Sequence, residues 1–203
     1  TGRSVRGRPL GRGGRSVVWL AWDTDLLRYV ALKILICSDD EEEVRRFLRE
    51  ARMAAALTHP SIVPVHEVGH GSDPEGRTTY FIAMDYVDGR TLAQIRPEGV
   101  AGLSILEECA RAAHHAHRQG VIHRDIKPSN IMINRQGHPY LMDFGLAKPA
   151  GASGTLTVSG QILGTPSYMS PEQAMGKMHH LTPQTDVYSL GATLYEITTG
   201  RKP

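Results

Sequence analysis

The segment His123–Asn130, which reads HRDIKPSN, places a carboxylate, cationic side chains and a carboxamide within eight residues. Pro128 excludes a helix interior, so the sequence predicts a loop that leaves a buried strand. Asp125 and Asn130 lie five positions apart, which would let one side chain accept a proton while the other holds a metal ion. Lys127 can place its ammonium group beside the same reacting centre.

A second carboxylate follows in the triplet Asp143-Phe144-Gly145, thirteen residues after Asn130. Carboxylate and carboxamide oxygens are the ligands that the hard cation Mg²⁺ prefers. Asn130 and Asp143 therefore form a candidate metal-binding pair.

A lysine interrupts the apolar run Tyr29–Leu35, which otherwise has the composition of a strand. A lone buried ammonium group is costly in free energy. The Lys33 side chain must therefore reach solvent or meet an anion.

A glycine-rich turn precedes that strand. Gly11, Gly13 and Gly14 predict a hairpin, and glycines without a Cβ let backbone amides approach phosphate oxygens. A plain hairpin explains the same residues, and the turn alone does not decide between these two interpretations.

The composition is that of an ordinary globular domain: 203 residues, 40% apolar and 22% charged, with a formal net charge of +2. So small a charge gives no case for a nucleic-acid partner. Cys37 and Cys109 form no C-x-x-C pair, which argues against a zinc site or a disulfide framework and fits a reducing cytoplasm. No apolar run reaches membrane-spanning length, and a membrane anchor beyond residue 203 stays open.

The remaining patterns predict the elements that position these side chains. We expect helices over about 40–57 and 103–120, strands starting at 62 and over 80–84 and 131–133, a polar loop over 69–77, and a helix from 186 onward. The first helix should bury Val44, Phe47, Leu48 and Ala51. His114, His115 and His117 are interpreted as a solvated helix face.

Taken with its neighbours, the HRDIKPSN segment resembles the catalytic loop of protein kinases, H-R-D-x-x-x-x-N, and Lys127 is similar to the lysine of the serine/threonine class. The glycine turn resembles G-x-G-x-x-G-x-V, with Ser16 in place of the third glycine. Lys33 resembles the V-A-I-K lysine and Asp143-Phe144-Gly145 the D-F-G triplet. The resemblance extends from Leu10 to Gly200 and is closest to bacterial, eukaryotic-like serine/threonine kinases.

The resemblance implies an α+β, two-lobed protein-kinase-like fold. Residues 1–84 would form a small antiparallel β-sheet N-lobe with one helix, residues 85–89 a hinge, and residues 90–203 a mainly helical C-lobe. Kinases continue with further helices, so we expect an incomplete C-lobe and a fragment. Glu172, in a segment that resembles A-P-E, would then lack its usual arginine partner.

The implied reaction is transfer of the ATP γ-phosphoryl group to serine or threonine hydroxyls of protein substrates. Asp125 would orient and deprotonate the hydroxyl, and Lys127 would neutralise the migrating phosphoryl group. Asn130 and Asp143 would hold Mg²⁺, or Mn²⁺ in its place. Asp186 would brace the catalytic loop through backbone amides.

The resemblance also implies a set of nucleotide-binding residues. Lys33 would bind the α- and β-phosphates with Glu50 as its partner, or Glu43 in its place. Met84 would be the gatekeeper, and adenine would bond to backbone beyond it. The full set comprises Leu10, Gly11, Gly13, Gly14, Val18, Ala31, Lys33, Glu50, Met84, Asp85, Val87 and Met132.

Regulation is expected in the polar segment 149–164. By resemblance, Arg124 would pair with a phosphate on Thr157 or Ser159, and Thr165 would bond near the catalytic aspartate. An ordinary flexible loop explains those hydroxyls equally well. Phosphorylation between two copies would call for a homodimer.

Two alternatives to an active kinase stay open. The chain could be a nucleotide-binding pseudokinase that serves as a scaffold, although no catalytic side chain is missing. It could also be a fragment that is inactive for lack of the last C-lobe helices.

Overall fold

The computed structural model describes residues 4–12, 16–25, 27–35, 41–72, 75–96, 100–144 and 166–203. The side chains of residues 4–6, 42, 43, 46, 50, 100 and 178 fall outside that description. The chain forms two compact units. One consists of residues 1–58 and 63–87, and the other of residues 59–62 and 88–203.

The first unit contains a five-stranded antiparallel sheet in the order β1-β2-β3-β5-β4. Its strands are β1 (Ser4–Arg12), β2 (Ser16–Asp23), β3 (Arg28–Leu35), β4 (Val65–Ser72) and β5 (Thr78–Asp85). Side chains alternate between the two faces of a sheet. One face carries the buried cluster Ala21, Val30, Leu32, Phe81 and Ala83.

The helix of this unit, α1, spans Glu41–Ala55, which confirms the predicted helix with slightly shorter bounds. Val44, Phe47 and Ala51 of the expected apolar stripe are buried, and Leu48 is half-buried. The stripe recurs at the spacing of one helix face, so hydrophobic burial fixes which side of α1 points inward.

The prediction for residues 62–77 was partly wrong. Strand β4 begins at Val65 and continues to Ser72, through the first half of the expected polar loop. Pairing with β5 along this length extends the strand despite its polar composition. Gly69 shows why a strand can contain a glycine here: a Cβ would lie 2.9 Å from the Phe81 ring.

The second unit combines a small sheet with helices. Its elements are β6 (Gly89–Thr91), α2 (Leu92–Ile95), α3 (Val100–Arg118), β7 (Ile131–Asn134), β8 (Pro139–Leu141), α4 (Pro171–Ala174) and α5 (Pro183–Thr199). The strands are antiparallel in the order β6-β7-β8. Ile62 adds a single parallel bridge to Leu141.

Helices α3 and α5 pack against each other at the centre of this unit. The buried side of α3 carries the small residues Cys109, Ala112, Ala113 and Ala116, which allow close approach. Gly120, with φ of 75°, follows the helix end as predicted. Among the helices of the described ranges, none is both long and apolar enough to cross a bilayer.

Candidate active site

The HRDIKPSN segment is a loop between α3 and β7, as predicted, and it closes with one 3₁₀ turn at Pro128–Asn130. Lys127 before the turn is extended, and Pro128 takes the first helical position, where a missing N–H costs nothing. The strand expected just before the loop is not formed, since residues 121–122 between the end of α3 and the loop have no regular secondary structure.

His123 forms the buried floor of this loop. Its Nε2 donates to the Met142 carbonyl at 2.8 Å, and its Nδ1 accepts the Asp125 N–H at 3.2 Å. The ring also packs on Phe144, with centroids 4.6 Å apart. Burial lowers the pKa of His123 below its usual 6.5, against the raising effect of nearby carboxylates. A neutral imidazole therefore satisfies both hydrogen bonds.

Asp125, Lys127 and Asn130 come together at one carboxylate. Oδ2 of Asp125 accepts hydrogen bonds from Lys127 Nζ at 2.9 Å and from Asn130 Nδ2 at 3.0 Å. Nδ2 of Asn130 also donates to the Asp125 carbonyl at 2.8 Å. The carboxylate is thus held in one orientation beside a cation, which suits a group that accepts a proton from a bound hydroxyl.

The candidate metal pair lies beside this carboxylate. The N–H of Met142 donates to the Asn130 carbonyl at 3.0 Å, which brings the residue before Asp143 next to Asn130. Both protons of the Asn130 amide group point at Asp125, and no described residue donates to its Oδ1. An oriented carboxamide oxygen and a nearby carboxylate fit Mg²⁺, which takes few protein ligands. Asn130 and Asp143 form a pair only, and the described ranges contain no group of three or more His, Cys, Asp or Glu that could hold a metal ion.

Asp186, at the start of α5, braces the loop as predicted. Its fully buried carboxylate accepts the N–H of His123 at Oδ2 and the N–H of Arg124 at Oδ1, both at 2.8 Å. Arg124 has φ of 69°, in the left-handed region. The two bonds therefore help to hold a backbone conformation that is costly for an arginine.

One expectation about the neighbouring side chains was wrong, and a second side chain has a partner that the sequence did not predict. His117 is not solvated: only 12% of its side chain is exposed, and its Nε2 donates to Oδ2 of Asp186 at 2.7 Å. Glu172, which was expected to lack its usual arginine partner, has a hydroxyl partner instead, since its Oε1 accepts the Thr185 hydroxyl at 2.7 Å. In both cases the partner lies on α5.

Four of the predicted nucleotide-binding residues of the first unit share one sheet face. Val18 pairs with Lys33 across β2 and β3, and Ala31 pairs with Met84 across β3 and β5. Lys33 and Ala31 are two positions apart, so all four side chains point the same way. Lys33 is buried, with 4% of the residue exposed.

The other predicted positions are less closely grouped. Gly11 pairs with Val18 across β1 and β2. Asp85 ends β5, where its Oδ1 accepts from Arg28 and His66, and Val87 follows half-buried. In the second unit Met132 is a half-buried residue of β7. Leu10 is half-buried on β1.

Several predicted residues lie outside the described part of the chain. They are Gly13 and Gly14 of the glycine turn and Thr157, Ser159 and Thr165 of the regulatory segment. Glu50 lies on α1, but its side chain is outside the description. Their assignments stay predictions.

Sequence reasoning missed Gln173. This residue of α4 is buried, and its Nε2 donates to the Arg124 carbonyl at 2.7 Å. A signal was present, because Ser170 and Gln173 match the S/T-x-x-E/Q capping pattern. That pattern predicts the helix start but not the contact with the loop.

A family model described as a protein kinase domain matches residues 4–203. A serine/threonine-protein kinase of Corynebacterium efficiens is 43% identical over 96% of this chain, and PrkC of Bacillus subtilis is 42% identical over 97%. The chain spans 38% and 30% of the length of these two relatives.

A solved structure is similar as well. The crystal structure of the PknI kinase domain of Mycobacterium tuberculosis matches with a TM-score of 0.74 at 30% identity, over 99% of this chain and 76% of that one. The predicted α+β fold with an antiparallel sheet and a mainly helical part is confirmed by this match.

Proposed function

Because this chain belongs to the protein kinase domain family, we propose that it carries the catalytic activity of a serine/threonine protein kinase. The reaction is transfer of the ATP γ-phosphoryl group to a serine or threonine hydroxyl of a protein substrate. The observation that carries the proposal is the Asp125 carboxylate, held at Oδ2 by both Lys127 and Asn130.

Asp125 accepts the proton of the attacking hydroxyl and holds that oxygen toward the phosphorus atom. Lys127 supplies positive charge where the transferring group carries negative charge, an electrostatic effect that is strong in a site of low dielectric constant. Positioning and charge stabilisation account for most of the acceleration in phosphoryl transfer. These two side chains are therefore expected to affect the turnover number kcat more than substrate binding.

Kinases use ATP together with a divalent cation. We assign its protein ligands to Asn130 and Asp143, with Mg²⁺ as the ion and Mn²⁺ as a substitute. When bound, such an ion neutralises charge on the phosphates. The Asn130 amide supports this assignment, because its hydrogen bonds to Asp125 turn its oxygen away from that carboxylate.

Nucleotide binding is assigned mainly to the first unit. Lys33 holds the α- and β-phosphates with Glu50 as its partner, and Gly11, Gly13 and Gly14 approach the phosphates through their amides. The adenine-binding set comprises Leu10, Val18, Ala31, Met84, Asp85, Val87 and Met132. The segment 85–89 is assigned as the hinge between an N-lobe over 1–84 and a C-lobe over 90–203.

Regulation is assigned to the activation segment. A phosphate on Thr157 or Ser159 would pair with Arg124, and Thr165 would support the catalytic loop. The transfer of phosphate from one copy to another requires at least a transient homodimer.

The test is incorporation of labelled phosphate from [γ-³²P]ATP into a serine- and threonine-rich protein substrate. We expect Asp125→Asn to abolish transfer while nucleotide affinity stays within a few-fold of wild type. Glu107→Gln is the matched control, since Glu107 is an exposed carboxylate paired with Arg111 on α3. Nucleotide binding without transfer by the wild-type full-length protein would contradict the proposal and favour a scaffold.

A further inference from the structure

Arg124 is held at both of its backbone polar groups by buried side chains. Its N–H donates to Oδ1 of Asp186 at 2.8 Å, and its carbonyl accepts from Nε2 of Gln173 at 2.7 Å. The two partners lie on different helices, α5 and α4. Its φ of 69° lies in the left-handed region, which is costly for a residue with a Cβ.

The Arg124 carbonyl belongs to the peptide group that joins Arg124 to Asp125. A hydrogen bond to that oxygen fixes the plane of the peptide group. It thereby restricts the rotation that would swing the Asp125 carboxylate away. Gln173 therefore acts on the orientation of Asp125 without touching its side chain.

The orientation of the Gln173 carboxamide is itself fixed. The residue is 3% exposed, and its Oε1 accepts the Ser170 N–H at 3.1 Å and the Ser170 hydroxyl at 3.4 Å. Because Oε1 faces these two donors, Nε2 is directed at the Arg124 carbonyl. The amide thus joins the start of α4 to the loop.

A second glutamine of the chain shows what capping alone requires. Gln94 occupies the same third position of α2, and its Oε1 accepts the N–H of Thr91 at 2.9 Å. Gln94 is exposed, and within the described ranges its side chain makes no hydrogen bond to a loop. Capping of the helix therefore accounts for Oε1 of a glutamine at this position, but not for the bond from Nε2 of Gln173 to Arg124.

We propose that Gln173 is a positioning residue for phosphoryl transfer, which sets the Arg124–Asp125 peptide and hence the direction of the catalytic carboxylate. This inference rests on the proposed kinase function. A displacement of about 1 Å at a reacting group can cost about a hundredfold in rate. Loss of the Nε2 bond should therefore lower kcat and leave the KM for ATP nearly unchanged.

The variant Gln173→Glu tests the Nε2 donor separately from the Oε1 acceptor. A glutamate keeps an acceptor for Ser170, but when ionised it has no proton for the Arg124 carbonyl. When protonated, its O–H can donate, and burial favours the protonated form. Once the glutamate is ionised, toward the alkaline end of the pH range, we expect kcat to fall at least about tenfold. The ratio of variant to wild-type kcat should then recover as the pH is lowered from 8 to 6.

Gln94→Glu is the matched control, and the ratio of its kcat to that of wild type should stay near one at every pH. A folded Gln173→Met protein, which has no donor at any pH, with wild-type kcat would overturn the proposal. The proposal would also be overturned if the loss of kcat in Gln173→Glu were explained entirely by the fraction of unfolded protein and did not recover at pH 6.

Hydrogen exchange gives a readout that does not need activity. In Gln173→Met, which removes both polar ends, the amides of Arg124 and Asp125 should exchange faster than in wild type, and in Gln94→Met they should not. Unchanged exchange in Gln173→Met overturns the positioning role. A wild-type protein that fails to transfer phosphate but shows the faster exchange in Gln173→Met contradicts the kinase function alone.

Discussion

Nζ of Lys127 lies 2.9 Å from Oδ2 of Asp125, and the two side chains are only 18% and 29% exposed. Ion pairs at exposed surfaces contribute little, because water and salt screen them. This pair is more shielded, and Asn130 holds the same oxygen at 3.0 Å. The ammonium group is therefore fixed beside the proposed base instead of moving freely in solvent.

The first prediction concerns this ammonium group. Lys127→Met keeps most of the aliphatic stem but removes the charge, and we expect kcat to fall about 10²–10³-fold, as for the loss of one electrostatic donor. The KM for ATP should change much less. Steady-state kinetics would measure both constants, with Lys177→Met, at an exposed lysine, as control. A kcat within about threefold of wild type would contradict the assigned role of Lys127.

The second prediction concerns Asp186. Asp186→Ala would leave the buried N–H groups of His123 and Arg124 without their acceptor and His117 without its partner. Each buried polar group left unpaired costs about 1–3 kcal/mol, so the free energy of unfolding should fall by about 3–5 kcal/mol. Urea denaturation followed by circular dichroism would measure this loss.

Glu107→Ala is the control for that measurement. Glu107 also lies in the second unit, but its ion pair with Arg111 is exposed and should contribute less than about 1 kcal/mol. Equal losses in the two variants would show that the buried bonds of Asp186 contribute no special stability.

The loop chemistry was predictable because it is local. Asp125, Lys127 and Asn130 lie within six residues, so their spacing alone brings them together once Pro128 rules out a helix. The apolar stripe of α1 was equally predictable, since its residues recur at the 3.6-residue period of a helix.

The missed contacts join distant parts of the chain. His117 and Asp186 are 69 positions apart, and Gln173 and Arg124 are 49 apart. Periodicity shows which side of a helix is apolar, but it does not show which polar group a buried partner will meet. The length of β4 was missed for the same reason, because its pairing with β5 outweighed its polar sequence.

The third prediction concerns pH. Burial lowers the pKa of His123 below 6.5, so the unfolded chain binds a proton at a higher pH than the folded chain does. The stability from neutral His123 is therefore complete above pH 6.5 and declines as the pH falls below it, by at most about 1.4 kcal/mol per pH unit. Protonation of His123 at Nδ1 would also remove the acceptor of the Asp125 N–H and bring two N–H groups against each other.

His123→Phe isolates this contribution. The variant should be less stable at pH 8, because the Met142 carbonyl and the Asp125 N–H lose their partner. Between pH 7 and 5 it should nevertheless lose less stability than wild type. Urea denaturation at several pH values would measure the two slopes. His59, whose pKa is lowered mainly by burial, contributes in the same direction in both proteins, so it does not obscure the difference. Identical slopes would mean that His123 does not titrate as inferred.

The last prediction compares two glycines of the second unit. A Cβ at Gly89 would lie 1.9 Å from the Ile133 carbonyl oxygen, where β6 meets β7, whereas a Cβ at Gly191 on α5 would meet nothing within 4 Å. Gly89→Ala must push two backbone strands apart, which should destabilise the protein by about 1–3 kcal/mol. Gly191→Ala should stabilise it by up to about 1 kcal/mol, because alanine favours the helix. Thermal melting would show changes of Tm of opposite sign in the two variants. A Gly89→Ala protein with the same Tm as wild type would contradict the close approach of the two strands.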